Sequence, residues 1–243
     1  MAKYGLIGTN ISYSFSKTFF TLKFEKENRN DTYHNFDIQG IEELDEIIKK
    51  HPDLRGLNVT IPLKETVLSK LAFINKEAQT IGAVNTIKIK SNGQLYGYNT
   101  DHFGFAKALT PLLPLKENTA LILGTGGSSK AVAYVMETLG FDYTFVSRKK
   151  QDGILTYTEL NSDIIKKHLL IINCTPLGTF PNVHEFANIP YQHITSDHVL
   201  FDLIYNPKQT EFLKRGFIQG ARVSNGLKML EYQAEKSWSI WKS

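Results

Sequence analysis

Short apolar runs that end at glycine, proline or a polar turn alternate with longer amphipathic stretches along the chain. In the first hundred residues this pattern predicts strands over residues 4–8, 33–38, 57–61, 83–90 and 95–99 and a helix over 41–50. Lys88 and Lys90 alternate with apolar residues as in an edge strand, and Asn92-Gly93 predicts the hairpin turn that follows. The chain therefore begins with a half in which strands and helices are mixed.

A regular strand–helix–strand rhythm begins at residue 119. Buried strands are predicted over residues 119–124, 143–147, 169–172 and 199–203, and helices over 128–139, 207–215 and 226–241. Gly140 and Gly216 stand where the first two of these helices are expected to end. The rhythm predicts a doubly wound, Rossmann-like domain, so the fold class is a two-domain α/β protein.

The first strand of this rhythm runs into a glycine-rich turn, Gly124-Thr125-Gly126-Gly127-Ser128, directly before a helix. A helix N-terminus offers unpaired N–H groups and the positive end of its dipole to a phosphate. Gly124 and Gly126 match the first two glycines of the dinucleotide fingerprint, whereas Ser129 replaces the third. The turn favours nucleotide binding, and a glycine turn without a ligand is the alternative.

The next strand ends in Ser147-Arg148-Lys149-Lys150, about twenty residues past the first glycine. An NAD site carries Asp or Glu near this place to bind the ribose hydroxyls. An acidic side chain repels the 2′-phosphate of NADP, whereas a guanidinium binds it with two charge-assisted hydrogen bonds. Such bonds contribute roughly 1.5–3 kcal/mol, so the sequence favours NADP over NAD.

Composition narrows the function classes. The 243 residues carry a net charge of +4, with 42% hydrophobic and 21% charged residues, an ordinary balance for a globular protein. Apolar runs stay well short of the roughly 20 residues of a membrane span, and the scattered lysines argue against nucleic-acid binding. Cys174, the single cysteine, fits a small buried residue better than a nucleophile. We expect a cytoplasmic protein without nucleic-acid or membrane partners.

Several polar residues of the first half have two interpretations each. Ser12, Ser14 and Ser16 alternate with bulky residues and suit a carboxylate ligand, but a serine before a helix is more commonly an N-cap. Lys64 follows a strand end, where a side chain either reaches the crevice at a sheet edge or faces solvent. Asp101 fits the N-cap of the helix that follows it.

Taken together, the polar motifs resemble those of the shikimate dehydrogenase family, in order and over nearly the whole chain. The matching stretches are Ser14-Phe15-Ser16, Asn58-Val59-Thr60-Ile61-Pro62-Leu63-Lys64, Gly82-Ala83-Val84-Asn85-Thr86, Asn99-Thr100-Asp101, Gly124-Thr125-Gly126-Gly127, Asn173-Cys174-Thr175-Pro176-Leu177-Gly178, Asp202-Leu203-Ile204-Tyr205-Asn206-Pro207, and a helix with Gly226, Met229, Leu230 and Gln233. Each motif alone is weak, whereas the ordered set is specific.

The resemblance implies a reversible, NADPH-dependent reduction of 3-dehydroshikimate to shikimate in aromatic amino-acid biosynthesis, with no metal. It implies that Lys64 is the general acid and that Asp101 pairs with Lys64 and binds a ring hydroxyl. The implied substrate-binding residues are Ser14, Ser16, Thr60, Asn85, Tyr205 and Gln233. The implied cofactor-binding residues are Gly124, Thr125, Gly126, Gly127, Ser128, Ser147, Arg148, Lys149, Asn173, Thr175, Gly226 and Met229.

The resemblance also implies a catalytic domain over residues 1–101, completed by a helix over 227–243, and an NADP domain over 102–226, with substrate in the cleft between them. Lys17 replaces a usual proline, Ser147 replaces a common asparagine, and the chain is short for the family. A broader quinate/shikimate dehydrogenase is one alternative. A non-catalytic NADP-binding sensor is another, which the intact catalytic pair disfavours. Family members occur as monomers and homodimers, so either is expected.

Overall fold

A computed structural model describes residues 1–11 and 14–243. The chain divides into two compact units, Met1–Thr100 with Gln233–Ser243, and Asp101–Tyr232. Across the described residues, the helices fall short of the length and hydropathy that crossing a lipid bilayer requires. Those same residues bring no three His, Cys, Asp or Glu side chains into a group that would hold a metal ion.

The first unit is built on a mixed sheet. Its elements in chain order are β1 (Lys3–Gly8), α1 (Phe15–Lys26), β2 (Thr32–Asp37), α2 (Leu44–Lys50, preceded by a 3-10 turn over Ile41–Glu43), β3 (Leu54–Val59), α3 (Leu63–Thr66, followed by a 3-10 turn over Val67–Lys70), β4 (Phe73–Ile74), α4 (Lys76–Ile81), β5 (Thr86–Ile89) and β6 (Leu95–Tyr98). The sheet order is β2-β1-β3-β5-β6-β4. β1 runs parallel to both of its neighbours, and β5 runs antiparallel to both of its own.

The prediction of an edge strand over residues 83–90 is wrong, because β5 lies between β3 and β6. Lys88 is half-buried and Lys90 is exposed, while Ile87 and Ile89 are buried. The alternation therefore separates the two faces of an interior strand and carries no information about its neighbours.

The second unit is built on a parallel sheet. Its elements are α5 (Asp101–Leu109, followed by a 3-10 turn over Thr110–Leu112), β7 (Thr119–Leu123), α6 (Gly127–Thr138), β8 (Asp142–Ser147), β9 (Leu155–Thr156), α7 (Ser162–Lys167), β10 (Leu170–Asn173), β11 (Val199–Asp202), α8 (Glu211–Ile218), β12 (Arg222–Ser224) and the first turns of α9 (Leu227–Lys242), with 3-10 turns over Tyr157–Glu159 and Tyr191–His193. The order β12-β11-β10-β7-β8-β9, parallel throughout, is the predicted doubly wound arrangement.

The helix predicted over residues 207–215 is displaced. α8 begins at Glu211, because the Thr210 side chain caps it by accepting a hydrogen bond from the N–H of Leu213. It also continues through Gly216 to Ile218. A Cβ at Gly216 would overlap the side chain of Leu200 in β11, so this glycine serves close packing of helix on sheet instead of ending the helix.

Each sheet buries apolar side chains on both faces. On one face of the first sheet, Ile7, Leu57 and Ile87 belong to an apolar cluster with residues of α2. The opposite face packs against aromatic residues of α1 and of the end of α9. Trp241 of α9 donates its indole N–H to the Ile87 carbonyl at 2.9 Å, and a Cβ at Gly56 would overlap its ring. The last residues of the chain are thereby fixed on the sheet formed by the first hundred.

Candidate active site

Backbone hydrogen bonds bring Thr60, Lys64 and Asn85 to one corner of the first unit. The N–H of Val84 donates to the Lys64 carbonyl at 2.8 Å, and the N–H of Val59 donates to the Asn85 carbonyl at 2.9 Å. Thr60 follows β3 directly, and its own N–H bonds to Ile7 in β1. Lys64 is half-buried in α3. Its segment is therefore bonded to β1 through Thr60 and to the residues before β5 through the Lys64 carbonyl.

A buried polar network joins Asn85 to Gln233, two residues to which the family resemblance gives a role in substrate binding. Asn85 Nδ2 donates to Gln233 Oε1 at 3.4 Å and to Thr100 Oγ1 at 3.0 Å, while the Thr100 N–H donates to Asn85 Oδ1 at 2.6 Å. Asn58 and Ser237 extend this network, joined by an Asn58 Nδ2 to Ser237 Oγ bond of 3.0 Å. All five residues are buried, so water does not compete for these bonds.

The predicted serine pair divides between two structural roles. Ser14 is the N-cap of α1, where its Oγ accepts a hydrogen bond from the N–H of Lys17 at 3.4 Å. Ser16 is buried within α1. Burial raises the pKa of Tyr33 well above its usual value, and the nearby Ser16 hydroxyl opposes that rise. Ser12 lies outside the described residues.

The glycine turn of the second unit forms a cradle at a helix end. Gly124 has φ +104°, a left-handed conformation that favours glycine. Gly126 is the N-cap of the twelve-residue α6 without a side-chain capping bond, and a Cβ built on it would meet only open space. Ser129 is fully buried in the first turn, where the fingerprint has a glycine that allows close packing. This backbone fits the phosphates of a dinucleotide.

The basic residues at the end of β8 are not equivalent. Ser147 Oγ accepts from the N–H of Lys149 at 3.1 Å and donates to its carbonyl at 2.9 Å, which closes a tight turn below exposed Arg148. Lys150 is ion-paired with Glu159, which also accepts hydrogen bonds from Thr156. The Lys150 bond is the main cause that lowers the pKa of Glu159 to about 2. Arg148 and Lys149 therefore fit the 2′-phosphate of NADP better than Lys150 does.

The loop after β10 is built around Asp202, a fully buried carboxylate at the end of β11. Asp202 Oδ1 accepts from Asn173 Nδ2 and from the N–H of Ile204, both at 3.0 Å, and Oδ2 accepts from Thr210 Oγ1 at 2.5 Å. Asn173 Oδ1 in turn accepts from the N–H and hydroxyl of Thr175 at 3.0 and 2.6 Å. Burial raises the pKa of Asp202 to about 6, against the effect of these hydrogen bonds.

Other predicted site residues also lie in the second unit. Asp101 is the first residue of α5, and Tyr205 is half-buried after β11. The N–H of Gly226 donates to the Ile204 carbonyl at 3.0 Å, and a Cβ there would overlap the Leu203 carbonyl, so only glycine fits. Met229 packs in the apolar core of this unit. Burial raises the pKa of the Cys174 thiol, in agreement with the prediction that this cysteine is not a nucleophile.

Known proteins match the chain over nearly its full length. The family model described as the shikimate dehydrogenase substrate binding domain matches residues 6–87. A shikimate dehydrogenase (NADP(+)) from Clostridium beijerinckii is 37% identical, over 99% of this chain and 92% of its own. The chain belongs to the shikimate dehydrogenase family.

Solved shikimate dehydrogenases share the fold. Shikimate dehydrogenase 1 from Peptoclostridium difficile is 40% identical with a TM-score of 0.88, covering 100% of this chain and 92% of its own. The shikimate dehydrogenase from Thermus thermophilus, solved in complex with NADP(H) and shikimate, is 29% identical with a TM-score of 0.87, covering 99% and 93%. The substrate-binding family model falls entirely within the first unit.

Sequence reasoning missed the buried residues that hydrogen-bond to the predicted site residues of this shikimate dehydrogenase. Asn58, Thr100 and Asp202 occur in the family motifs without an assigned role, and Tyr33 and Ser237 were given no part in the site. Ser237 follows Gln233 by four residues, so both lie on one face of a helix. That spacing was the available signal. The Asp202–Thr210 bond had none, because a loop of unpredictable course separates the two residues.

Proposed function

We propose that this chain catalyses the reversible, NADPH-dependent reduction of 3-dehydroshikimate to shikimate in aromatic amino-acid biosynthesis. The observation that carries the proposal is the corner of the first unit where the Lys64 backbone is bonded beside the buried Asn85–Gln233 amide pair. The reduction of a polyhydroxylated cyclic ketone requires a proton donor beside groups, such as amides, that bind the ring hydroxyls. Relatives named shikimate dehydrogenase (NADP(+)) support the same assignment.

In this proposal the first unit binds shikimate. Thr60, Asn85 and Gln233 hydrogen-bond its ring hydroxyls, since hydroxyl and amide groups both donate and accept. Ser14 and Ser16 bind the carboxylate, to which each hydroxyl donates one hydrogen bond, and Tyr205 is a further proposed substrate-binding residue. The matching substrate-binding family model over residues 6–87 supports this division of labour.

The second unit holds NADP. The backbone from Gly124 to Ser128 binds the diphosphate at the N-terminus of α6, and Arg148 with Lys149 binds the 2′-phosphate, supported by Ser147. Asn173, Thr175, Gly226 and Met229 line the nicotinamide end in this proposal. When bound, the nicotinamide supplies or takes up the hydride.

Lys64 and Asp101 are the proposed catalytic residues. Lys64 protonates the oxygen that becomes an alkoxide as the carbonyl is reduced, and it removes that proton in the oxidation direction. Asp101 accepts a hydrogen bond from a ring hydroxyl of the substrate. Proton transfer of this kind contributes about 10²–10⁴-fold to a rate.

Lys64→Ala tests the assignment against Lys70→Ala as a matched control. Lys70→Ala removes the same groups in the same unit, at a lysine that is ion-paired with Asp45 at 2.5 Å. Lys64→Ala is expected to lower kcat for shikimate oxidation about 10²-fold or more, with an unchanged Kd for NADPH by fluorescence titration. Lys70→Ala should retain wild-type kcat. Near-normal turnover by Lys64→Ala would remove this lysine from the mechanism.

We further propose a cytoplasmic enzyme that is a monomer or homodimer and has no nucleic-acid partner. The single cysteine fits a reducing compartment. The mild net charge of +4, spread along the chain without a basic run, supports a small-molecule substrate over a polyanion.

A further inference from the structure

The buried network behind Asn85 and Gln233 fixes which end of each amide points where. The Thr100 N–H can only donate, so the atom 2.6 Å from it must be the oxygen of the Asn85 amide. Asn85 Nδ2 is then a donor, which makes the neighbouring Gln233 atom at 3.4 Å the acceptor Oε1. The orientation of Gln233, and so the position of its Nε2 donors, follows from the main-chain N–H of Thr100 through the Asn85 amide.

Ser237 lies at the centre of the hydroxyls that support this arrangement. Its Oγ lies 2.8 Å from Thr86 Oγ1 and 3.1 Å from Thr100 Oγ1, accepts from Asn58 Nδ2 at 3.0 Å, and donates to the Gln233 carbonyl at 2.9 Å. A hydroxyl carries one proton and two lone pairs, so donation to the Gln233 carbonyl leaves Ser237 Oγ to accept from two donors, Asn58 Nδ2 and the nearer threonine hydroxyl, Thr86 Oγ1. One oxygen thereby sets the direction of two neighbouring donors and leaves the Thr100 hydroxyl proton for another acceptor.

The donors and acceptors in the rest of the network are assigned by the same reasoning. Asn58 Oδ1 accepts from the Tyr33 hydroxyl at 2.8 Å, which fixes Asn58 Nδ2 toward Ser237. Thr100 Oγ1 lies 3.3 Å from Gln233 Oε1 and is therefore one of the donors that hold this acceptor. Ser237 and Thr86 are fully buried, so neither can touch a ligand and both act through their neighbours.

We propose that Ser237 is a positioning residue for substrate recognition, which orients the amides of Asn85 and Gln233 through Thr86 and Thr100. The inference rests on the proposed function, in which those two amides bind the hydroxyls of shikimate. Loss of the Ser237 oxygen releases the Thr86 hydroxyl and removes one acceptor of Asn58 Nδ2. The released Thr86 hydroxyl can donate to Asn85 Oδ1 or to Thr100 Oγ1, each 3.2 Å away, and it then displaces the two amides from the positions that suit the substrate hydroxyls.

The test compares Ser237→Ala with Ile38→Val, a core truncation in the same unit that leaves polar groups unchanged. Ser237→Ala is expected to raise KM for shikimate about tenfold, with kcat within about threefold and an unchanged Kd for NADPH. Ile38, buried among apolar side chains, serves as the control for lost stability alone. Ile38→Val should leave KM for shikimate, kcat and the Kd for NADPH unchanged, even if it lowers the melting temperature as much as Ser237→Ala does.

Ser237→Cys provides a graded second variant, because a thiol is a weak donor and acceptor of nearly the same size. Its KM for shikimate should lie between those of the wild type and Ser237→Ala, and it keeps the test open if the alanine variant does not fold. Wild-type KM in either folded variant would overturn the inference. Absence of shikimate turnover in the wild type itself would instead overturn the proposed function, and the inference with it.

Discussion

At the scale of single residues, Asp202 is a carboxylate of the second unit whose burial must be compensated by hydrogen bonds. Its carboxylate is fully buried, yet it accepts three hydrogen bonds that join β10, the loop after β11 and the start of α8. A buried charge is stable only when its neighbours replace the water that it has lost. The pKa of about 6 indicates that this replacement is incomplete.

We predict that Asp202 makes stability depend on pH in an unusual direction. The folded protein holds this proton with a pKa of about 6, against an ordinary value of 3.8, so it binds the proton more tightly than the unfolded chain does. Protonation therefore stabilises the fold as pH falls through 6. Between about pH 7.5 and about pH 4.5, the wild type should gain about 2 kcal/mol in free energy of unfolding relative to Asp202→Asn.

Urea denaturation of both proteins at both pH values measures this difference. Other titrating groups are common to the two proteins, so their contributions cancel in the comparison. A constant difference between wild type and Asp202→Asn across the range would show that Asp202 has no raised pKa.

At the scale of elements, two glycines with left-handed backbones flank α6. Gly124 lies before the helix with φ +104°, and Gly140 lies after it with φ +71°. Gly140 follows the helix end, a common place for this conformation, and a Cβ there would meet only open space. A Cβ on Gly124 would lie 3.3 Å from Thr175 Cγ2 and 3.4 Å from the Cys174 carbonyl oxygen. Only the first glycine therefore belongs to the proposed cofactor site.

Alanine at these two positions separates backbone strain from cofactor binding. Gly124→Ala and Gly140→Ala should each lower the free energy of unfolding by about 1–2 kcal/mol, because an alanine resists a positive φ. Only Gly124→Ala should also raise the Kd for NADPH, about tenfold or more, since its methyl group displaces the turn that approaches the diphosphate. Equal NADPH affinity in the two variants would contradict the proposed cradle.

The strands and helices were predicted well wherever burial alone determines the pattern of apolar and polar residues. The apolar runs of β7, β8 and β10 and the glycine turn after β7 are local signals, and the structure confirms them. The predicted position of β5 in its sheet and the predicted end of α8 were wrong, because each depends on a neighbour distant in sequence. The predicted start of α8 was wrong because Thr210, the adjacent N-cap, was overlooked. The network around Ser237 joins residues up to 179 positions apart, which no local pattern encodes.

At the scale of the whole molecule, the chain leaves its first unit at Thr100 and returns to it at Gln233. The return falls inside one continuous helix, α9, so the hydrophobic period of that helix gives no sign of it. The return brings Gln233 and Ser237 to the first sheet, where Trp241 fixes the helix on Ile87. The proposed shikimate site therefore needs both ends of the chain, whereas the proposed NADP site lies within the residues between them.

The steady-state oxidation of shikimate with NADP, followed by absorbance, tests the central claim most directly. Parallel assays replace shikimate with quinate and NADP with NAD. The account predicts rapid turnover with shikimate and NADP, and a kcat/KM at least about tenfold lower with NAD, because Arg148 and Lys149 bind a phosphate that NAD lacks. Comparable rates with quinate or NAD would move the chain to the broader quinate/shikimate dehydrogenases. NADPH binding without turnover of any substrate would contradict the account and leave an NADP-binding sensor.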